Sequence, residues 1–259
     1  MGVLNVTPDS FSDGGRFLKH SDALHQARAM YAAGAAIIDI GGESTRPGAV
    51  AVSWQQEADR VIPVVEAVCA EMEVPVSVDT SKPQVMQAAV SAGATMINDV
   101  YALRRDGAMQ MAAGLEAAVC LIHMQGEPGS MQRNPEYRDI PGDIVQFLRQ
   151  RLEDCRAAGI DEDRILLDPG FGFGKTGQHN IRLLAHLQQF AEFGLPVLVG
   201  LSRKRTLGNL TGRSIDERMP AGVAAALLAA DRGAHIVRTH DVAATVDAFR
   251  IRQAVIEVG

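Results

Sequence analysis

One pattern recurs along the chain from its first residues to its last: a short, nearly all-apolar run that stops at a polar residue or glycine, a loop, and then an alanine-rich amphipathic stretch. The apolar runs lie at 3–5, 36–40, 74–79, 95–98, 118–123, 165–168, 196–200 and 234–238. Runs this short and this apolar predict strands buried on both faces, and the segments between them predict parallel pairing through helices. Those helices are predicted at 21–33, 55–72, 83–92, 107–115, 142–158, 179–193, 219–232 and 242–256. Ser21, Ser53 and Ser81 occupy N-cap positions, and Gly34, Gly93, Gly159, Gly194 and Gly233 close the segments that precede them. Eight strand–helix units in 259 residues predict a TIM (β/α)8 barrel spanning 1–259 as a single domain. An open doubly wound sheet is the alternative, but the segment 5–20 after the first strand lacks the phosphate-binding glycine turn it requires.

A barrel gathers its strand ends into one mouth, so the residues that end the runs carry the functional information. In order they are Asn5, Asp39, Asp79, Asn98 with Asp99, His123, Asp168, Ser202 just past Gly200, and Arg238 with His240. Any one of them reads equally well as a cap or turn former. A polar residue at nearly every strand end is harder to explain that way. Acids and amides together suit the donors and acceptors of a flat heterocycle, while Lys204, Arg238 and His240 compensate anionic charge. Two glycine-bearing polar segments, 7–15 and 41–48, follow the first two strands and are read as mobile loops that close over a substrate.

Composition narrows the partners. With 47% hydrophobic and 22% charged residues the chain has ample material for a core, and a net charge of −6 argues against nucleic acid or an anionic membrane as the main partner. Cys69, Cys120 and Cys155 are far apart and flanked by apolar residues, which reads as reduced, buried thiols. The N-terminus has no basic-then-apolar leader, and the run at 221–230 is too short to cross a bilayer, so a soluble cytoplasmic protein is expected. Gly2 as a lipid acceptor is set aside because 3–5 reads as a strand.

The strings Asn5-Val-Thr-Pro-Asp-Ser-Phe-Ser-Asp-Gly-Gly15, Gly41-Gly-Glu-Ser-Thr-Arg-Pro47, Ser77-Val-Asp-Thr-Ser-Lys82, Ile97-Asn-Asp99, Leu167-Asp-Pro-Gly-Phe-Gly-Phe-Gly-Lys175, Ser202-Arg-Lys204 and Arg238-Thr-His-Asp241 resemble, in content and order, those of the dihydropteroate synthase family of folate biosynthesis. Each string alone is weak; the full ordered set is highly specific. The resemblance implies a TIM barrel, usually a homodimer, that joins 6-hydroxymethyl-7,8-dihydropterin diphosphate to p-aminobenzoate, releases diphosphate, uses magnesium and is a target of sulfonamides. It further implies that Asp79, Asn98, Asp168 and Lys204 hold the pterin, and that Asn5, Arg238 and His240 bind the diphosphate. Asn5 and Asp13 lie near magnesium in that reading, Thr45 and Arg46 touch substrate on loop closure, and Phe173 and Lys204 border the aminobenzoate pocket. The chemistry is consistent: carboxylates and an amide read a pterin edge in pairs, arginine forks onto phosphate oxygens, and magnesium takes oxygen ligands.

The expected mechanism is dissociative, with Asp79 and Asp168 steadying the pterin cation and Arg238, His240 and magnesium holding the departing charge. Two departures from the family stand out. The chain starts directly at the first barrel strand, without the preceding strand or hairpin common in the family, and Arg205 stands where a small hydroxyl residue is common. Arg205 either meets the aminobenzoate carboxylate or points to solvent from a helix start; the first is preferred. Rival readings are a folate-dependent methyltransferase, which has no need of a diphosphate pocket, and a pterin-binding barrel that has lost catalysis.

Other features read as decoys. Gly170–Thr176 imitates a phosphate loop, but Pro169 stands where its first glycine belongs, so Lys175 is expected to be a surface or loop lysine. No histidine pair has zinc spacing, and most of the seven histidines read as structural or solvated. His123 reads at least as well as a satisfied core histidine as a mouth residue. Met109, Met111 and Met124 read as packing.

Overall fold

The computed structural model of the chain describes residues 1–7, 16–44 and 51–258. Its strands are β1 Gly2–Asn5, β2 Ile38–Gly41, β3 Val76–Asp79, β4 Met96–Asp99, β5 Ala118–Ile122, β6 Ile165–Asp168, β7 Leu198–Val199 and β8 Ile236–Val237. The α-helices are α1 Arg16–Ala32, α2 Trp54–Glu71, α3 Pro83–Ser91, α4 Ala108–Ala113, α5 Ile140–Ala157, α6 Gly177–Ala185, α7 Arg205–Thr211, α8 Met219–Ala230 and α9 Val242–Ile256. Strands β1 to β6 pair in sequence order and β7 pairs with β8, all in parallel. Parallel bridges Leu167–Val197 and Gly2–Thr239 join the two groups at both sides. The Leu167 N–H donates to the Pro196 carbonyl at 2.9 Å and the Val3 N–H to the Thr239 carbonyl at 3.0 Å, so the sheet closes on itself as a TIM barrel.

Alternation along each strand builds two cores, because successive side chains leave a strand on opposite faces. Ile97 and Leu121 face the helices and join a large cluster that includes Val61, Val85, Ile144 and Leu148. Their neighbours Met96, Cys120 and Ile122 join Leu198 and Met124 in a smaller cluster that fills the barrel interior. The apolar character of the runs follows from that double demand. Met109 and Met111 pack partly buried against the larger cluster, so all three methionines serve packing.

Local chemistry sets the helix ends. Ser53 caps α2 through a reciprocal box in which the Gln56 N–H donates to Ser53 Oγ at 3.2 Å and the Ser53 N–H donates to Gln56 Oε1 at 3.0 Å. All five predicted closing glycines have positive φ, between 65° and 112°. Other expectations need correction. Ser21 lies inside α1, which begins at Arg16, since good helix formers such as Leu18 and Lys19 carry the helix upstream. Lys82 rather than Ser81 is the N-cap of α3, because Pro83 takes the first helical position.

The segment 179–193 is not one α-helix. α6 ends at Ala185, and Leu187–Phe193 winds as a 3-10 helix, whose threefold repeat sets Leu187 and Phe190 together in the core. Seven-residue α7 went unpredicted, being too short to show periodicity; α8 is the outer helix expected there. Cys120 and Cys155 are buried, but Cys69 is only half-buried.

Candidate active site at the strand C-termini

Arg238, the residue after β8, reaches across the barrel mouth. Its Nε donates to Asp39 Oδ2 at 2.5 Å and its Nη2 to Asp79 Oδ2 at 2.8 Å. Asn98 Nδ2 donates to the same Asp39 oxygen at 3.3 Å, so side chains from β2, β3, β4 and the residue after β8 are drawn into one polar floor. Asp39 has no solvent exposure, and among the described residues its Oδ1 and the Asn98 Oδ1 are buried acceptors without a partner. An unmet buried acceptor costs about 1–3 kcal/mol, which a ligand presenting N–H groups would recover. Asp79 also borders a cavity of about 310 Å³ shared with Thr80, Tyr101 and Arg105, a size suited to a small molecule.

Asp168, at the end of β6, is buried and accepts the Gly170 N–H through Oδ1 at 2.7 Å. Burial pushes its carboxyl up to about 6, and the same cause raises Asp79 to about 7 against the pull of Arg238. Lys204, the N-cap of α7, holds its ammonium 4.3 Å from the centre of the Phe173 ring. Burial and the Arg238 charge bring Lys204 down to about 8. His240 interacts with Ser202 Oγ through its backbone N–H at 3.2 Å and its Nδ1 at 3.1 Å; burial and Arg238 lower it to about 4. It is therefore neutral near pH 7 in this state and offers polar ring atoms rather than charge. Arg203, in the left-handed region at φ 58°, binds Asp241 at 2.7 Å. With the Ser202–His240 contact, this latches the turn carrying Lys204 to the end of β8.

The predicted residues Asp79, Asn98, Asp168, Phe173, Lys204, Arg238 and His240 thus belong to strand ends or the turns that follow them, on one side of the barrel. Asn5 ends β1 there, half-buried. Arg205 opens α7 and is exposed, compatible with either of its two readings. Asp13, Thr45 and Arg46, and with them most of the two expected closing loops, lie outside the described residues. Asp39, expected to end its strand, is instead the second residue of β2, which runs on to Gly41, and its pairing with Arg238, 199 residues away, left no sequence signal. The buried Lys82, held between Glu43 at 2.7 Å and the fully buried Glu57, had no sequence signal beyond three charges. Lys175 lies in a loop, as one of its two readings had it, but not at the surface: it is buried at 2% exposure, its Nζ 2.8 Å from His123 Nδ1. His123, only 5% exposed, is the satisfied core histidine of the two options.

A closed parallel barrel with paired carboxylates, an amide and basic residues at one mouth is the architecture of a pterin-binding TIM-barrel enzyme. The profile of the family described as "Pterin binding enzyme" matches residues 1–240, and the chain belongs to that family. Its relatives include the dihydropteroate synthase of Escherichia coli (strain K12), 50% identical over 254 residues covering 98% of this chain and 90% of that protein. The dihydropteroate synthase of Haemophilus influenzae is 48% identical, over 98% of this chain and 92% of its own length. Among solved structures, the Yersinia pestis dihydropteroate synthase with a sulfonamide drug complex superposes with TM-score 0.95 at 51% identity, covering 99% of this chain and 94% of that one. The Xanthomonas albilineans enzyme in complex with 7,8-dihydropteroate gives 0.91 at 50% identity, covering 98% and 92%.

Removing the fully buried Asp39 carboxylate leaves a half-buried guanidinium with Asp79 alone as its acid partner. Asp39→Ala is expected to lower unfolding stability by about 3 kcal/mol, read from the urea midpoint.

Proposed function

We propose that this chain catalyses the dihydropteroate synthase reaction, joining 6-hydroxymethyl-7,8-dihydropterin diphosphate to p-aminobenzoate with release of diphosphate. The reading is carried by the polar floor that Arg238 closes, where Asp39, Asp79 and Asn98 set buried acceptors beside a forked cation. A 2-amino-4-oxo pterin presents amino and ring N–H donors that Asn98 and Asp168 accept, while Lys204 donates to its acceptors. The absence of any need for a diphosphate pocket disfavours methyl transfer, and polar groups at so many strand ends disfavour a barrel without catalysis.

The bond between the pterin methylene and the diphosphate oxygen breaks with its electron pair leaving on oxygen. Asp79 and Asp168, as carboxylates, steady the positive charge spread over the ring. Arg238 and His240 receive the diphosphate, Arg238 turning one arm of its fork from the acids and His240 offering a ring N–H. The neutral arylamine nitrogen then forms the new C–N bond and loses a proton to water or diphosphate. No strong protein base is required, so the work of the site is orientation and exclusion of water.

Magnesium fits this arrangement as an ion held chiefly by substrate phosphates, a mode that needs few protein ligands. Among the described residues, no three His, Cys, Asp or Glu side chains converge on a metal position. Asn5 supplies an amide oxygen at the rim, and Asp13 follows β1 in sequence. When bound, the ion neutralises departing phosphate charge. In this reading Thr45 and Arg46 touch substrate on loop closure, Phe173 and Lys204 border the aminobenzoate pocket, and Arg205 lies near the aminobenzoate carboxylate. The protein acts in the cytoplasm as a homodimer. Supporting the dimer, α8 and α9 are adjacent and expose Leu228, Ile251, Val255 and Ile256, the latter three at 70%, 64% and 53%.

Diphosphate release from the pterin substrate is expected only when p-aminobenzoate is present, and to fall at least about 100-fold on EDTA treatment, in Asp79→Ala and in Arg238→Ala. Release independent of the arylamine, or either variant turning over like wild type, would overturn the assignment. Asp168 must be ionised to accept ring donors and Lys204 protonated to donate. Calorimetric affinity for the pterin substrate should therefore rise as pH passes about 6, and fall as pH passes about 8. Sedimentation of the wild type should give twice the chain mass, and Ile251→Glu with Val255→Glu should give the monomer.

A further inference from the structure

The glycine-rich turn after β6 is built around a buried ammonium that the reaction does not consume. Lys175 Nζ lies 2.8 Å from His123 Nδ1, 2.9 Å from the Gly170 carbonyl oxygen and 3.1 Å from the Phe173 carbonyl oxygen. The two carbonyls accept N–H groups from Nζ, and in the His123 contact the donor is set by the imidazole tautomer. Both carbonyls belong to the turn itself, so the ammonium draws residues 170–173 into a loop around its own position. The histidine belongs to the turn after β5, so the same group ties β5's end to β6's.

The rest of the turn is fixed around that centre. Gly170, Gly172 and Gly174 all take positive φ. A Cβ on Gly170 would overlap the His123 carbonyl oxygen, and one on Gly174 would lie 2.5 Å from the Gln125 carbonyl oxygen, so the backbones of the two turns are in direct contact. Tyr137 Oη donates to the Gly174 carbonyl at 2.8 Å, and the Gly172 N–H donates to Asn180 Oδ1 at 2.8 Å. The His123 ring stands edge-on to Phe147 with centroids 4.8 Å apart. What the turn presents to the mouth is Phe173, with the Lys204 ammonium over its ring.

We propose that Lys175 is a positioning residue for the second substrate: its caged ammonium sets the place of Phe173, the wall of the aminobenzoate side, through the Phe173 carbonyl. The role rests on the reaction assigned above. It touches neither substrate. Of the pterin residues assigned above, Asp79 is held by Arg238 and Asn98 by Asp39, both away from the caged turn, Lys204 belongs to the turn after β7, and Asp168 meets the caged turn only where it accepts the Gly170 N–H at 2.7 Å. Loss of the cage should therefore separate the two substrates.

The test uses the full chain. Lys175→Met is expected to raise the KM for p-aminobenzoate about tenfold or more, with the calorimetric Kd for the pterin diphosphate within twofold of wild type and Lys175→Arg regaining part of the loss. An unchanged arylamine KM in the folded variant overturns the proposal. So does a parallel weakening of pterin binding, which marks general loosening. Should Lys175→Met not fold, Lys175→Arg alone decides: a raised arylamine KM with the pterin diphosphate Kd within twofold of wild type supports the cage, and an unchanged arylamine KM overturns it. Wild-type enzyme that releases no diphosphate with p-aminobenzoate would instead count against the reaction, a failure distinct from either result.

Discussion

A closed parallel barrel forces every strand to end on the same side. With eight short strands, the side chains that stop them meet around one opening, and the low-dielectric wall behind them leaves their charges little water. Asp39, Asp79 and Asp168 cannot all stand there as isolated anions. Arg238 is the answer on one side of the mouth, bound to two of the acids, and Lys204 lies close enough to Asp168 for its charge to favour the carboxylate. The same crowding lifts Asp79 and Asp168 towards neutrality and lowers Lys204 and His240, placing several groups where modest changes of ligand alter charge.

That electrostatic balance links fold to chemistry. In the absence of substrate Arg238 satisfies acids; facing a diphosphate it has a competing anion, while a pterin brings N–H donors to acceptors left unmatched in the floor. Binding therefore exchanges one set of pairings for another rather than burying bare charge. The turns after β6 and β7 complete the opening by different means. One is wrapped around an ammonium, the other is latched to the end of β8 through Ser202 and Arg203. Both hold long side chains still, which suits a reaction that asks mainly for alignment and dryness.

Much of this was legible in residue order. The eight runs, the five closing glycines, the Ser53 cap and the polar residues at strand ends all follow from local rules, since each needs only neighbouring residues to be satisfied. Where several local starts compete, the reading faltered: Ser21 fell inside a helix, Pro83 moved the start of α3, and the core's demand on Leu187 and Phe190 tightened the end of a predicted helix. Lys175 misled for a related reason. A lysine beside glycines looks exposed until a second turn supplies a histidine 52 residues away to receive it.

Sequence by itself determined the alternation of strand and helix and the set of polar residues delivered to the mouth, because hydrophobic period and backbone preference act over a few residues. Only the tertiary structure decided which of those residues are partners. Arg238 with Asp39 and Asp79, Lys82 with Glu43 and Glu57, and Lys175 with His123 are pairings across tens to hundreds of residues. They exist because barrel closure removes water from charged groups, and a group denied water must take whatever partner the fold brings within reach.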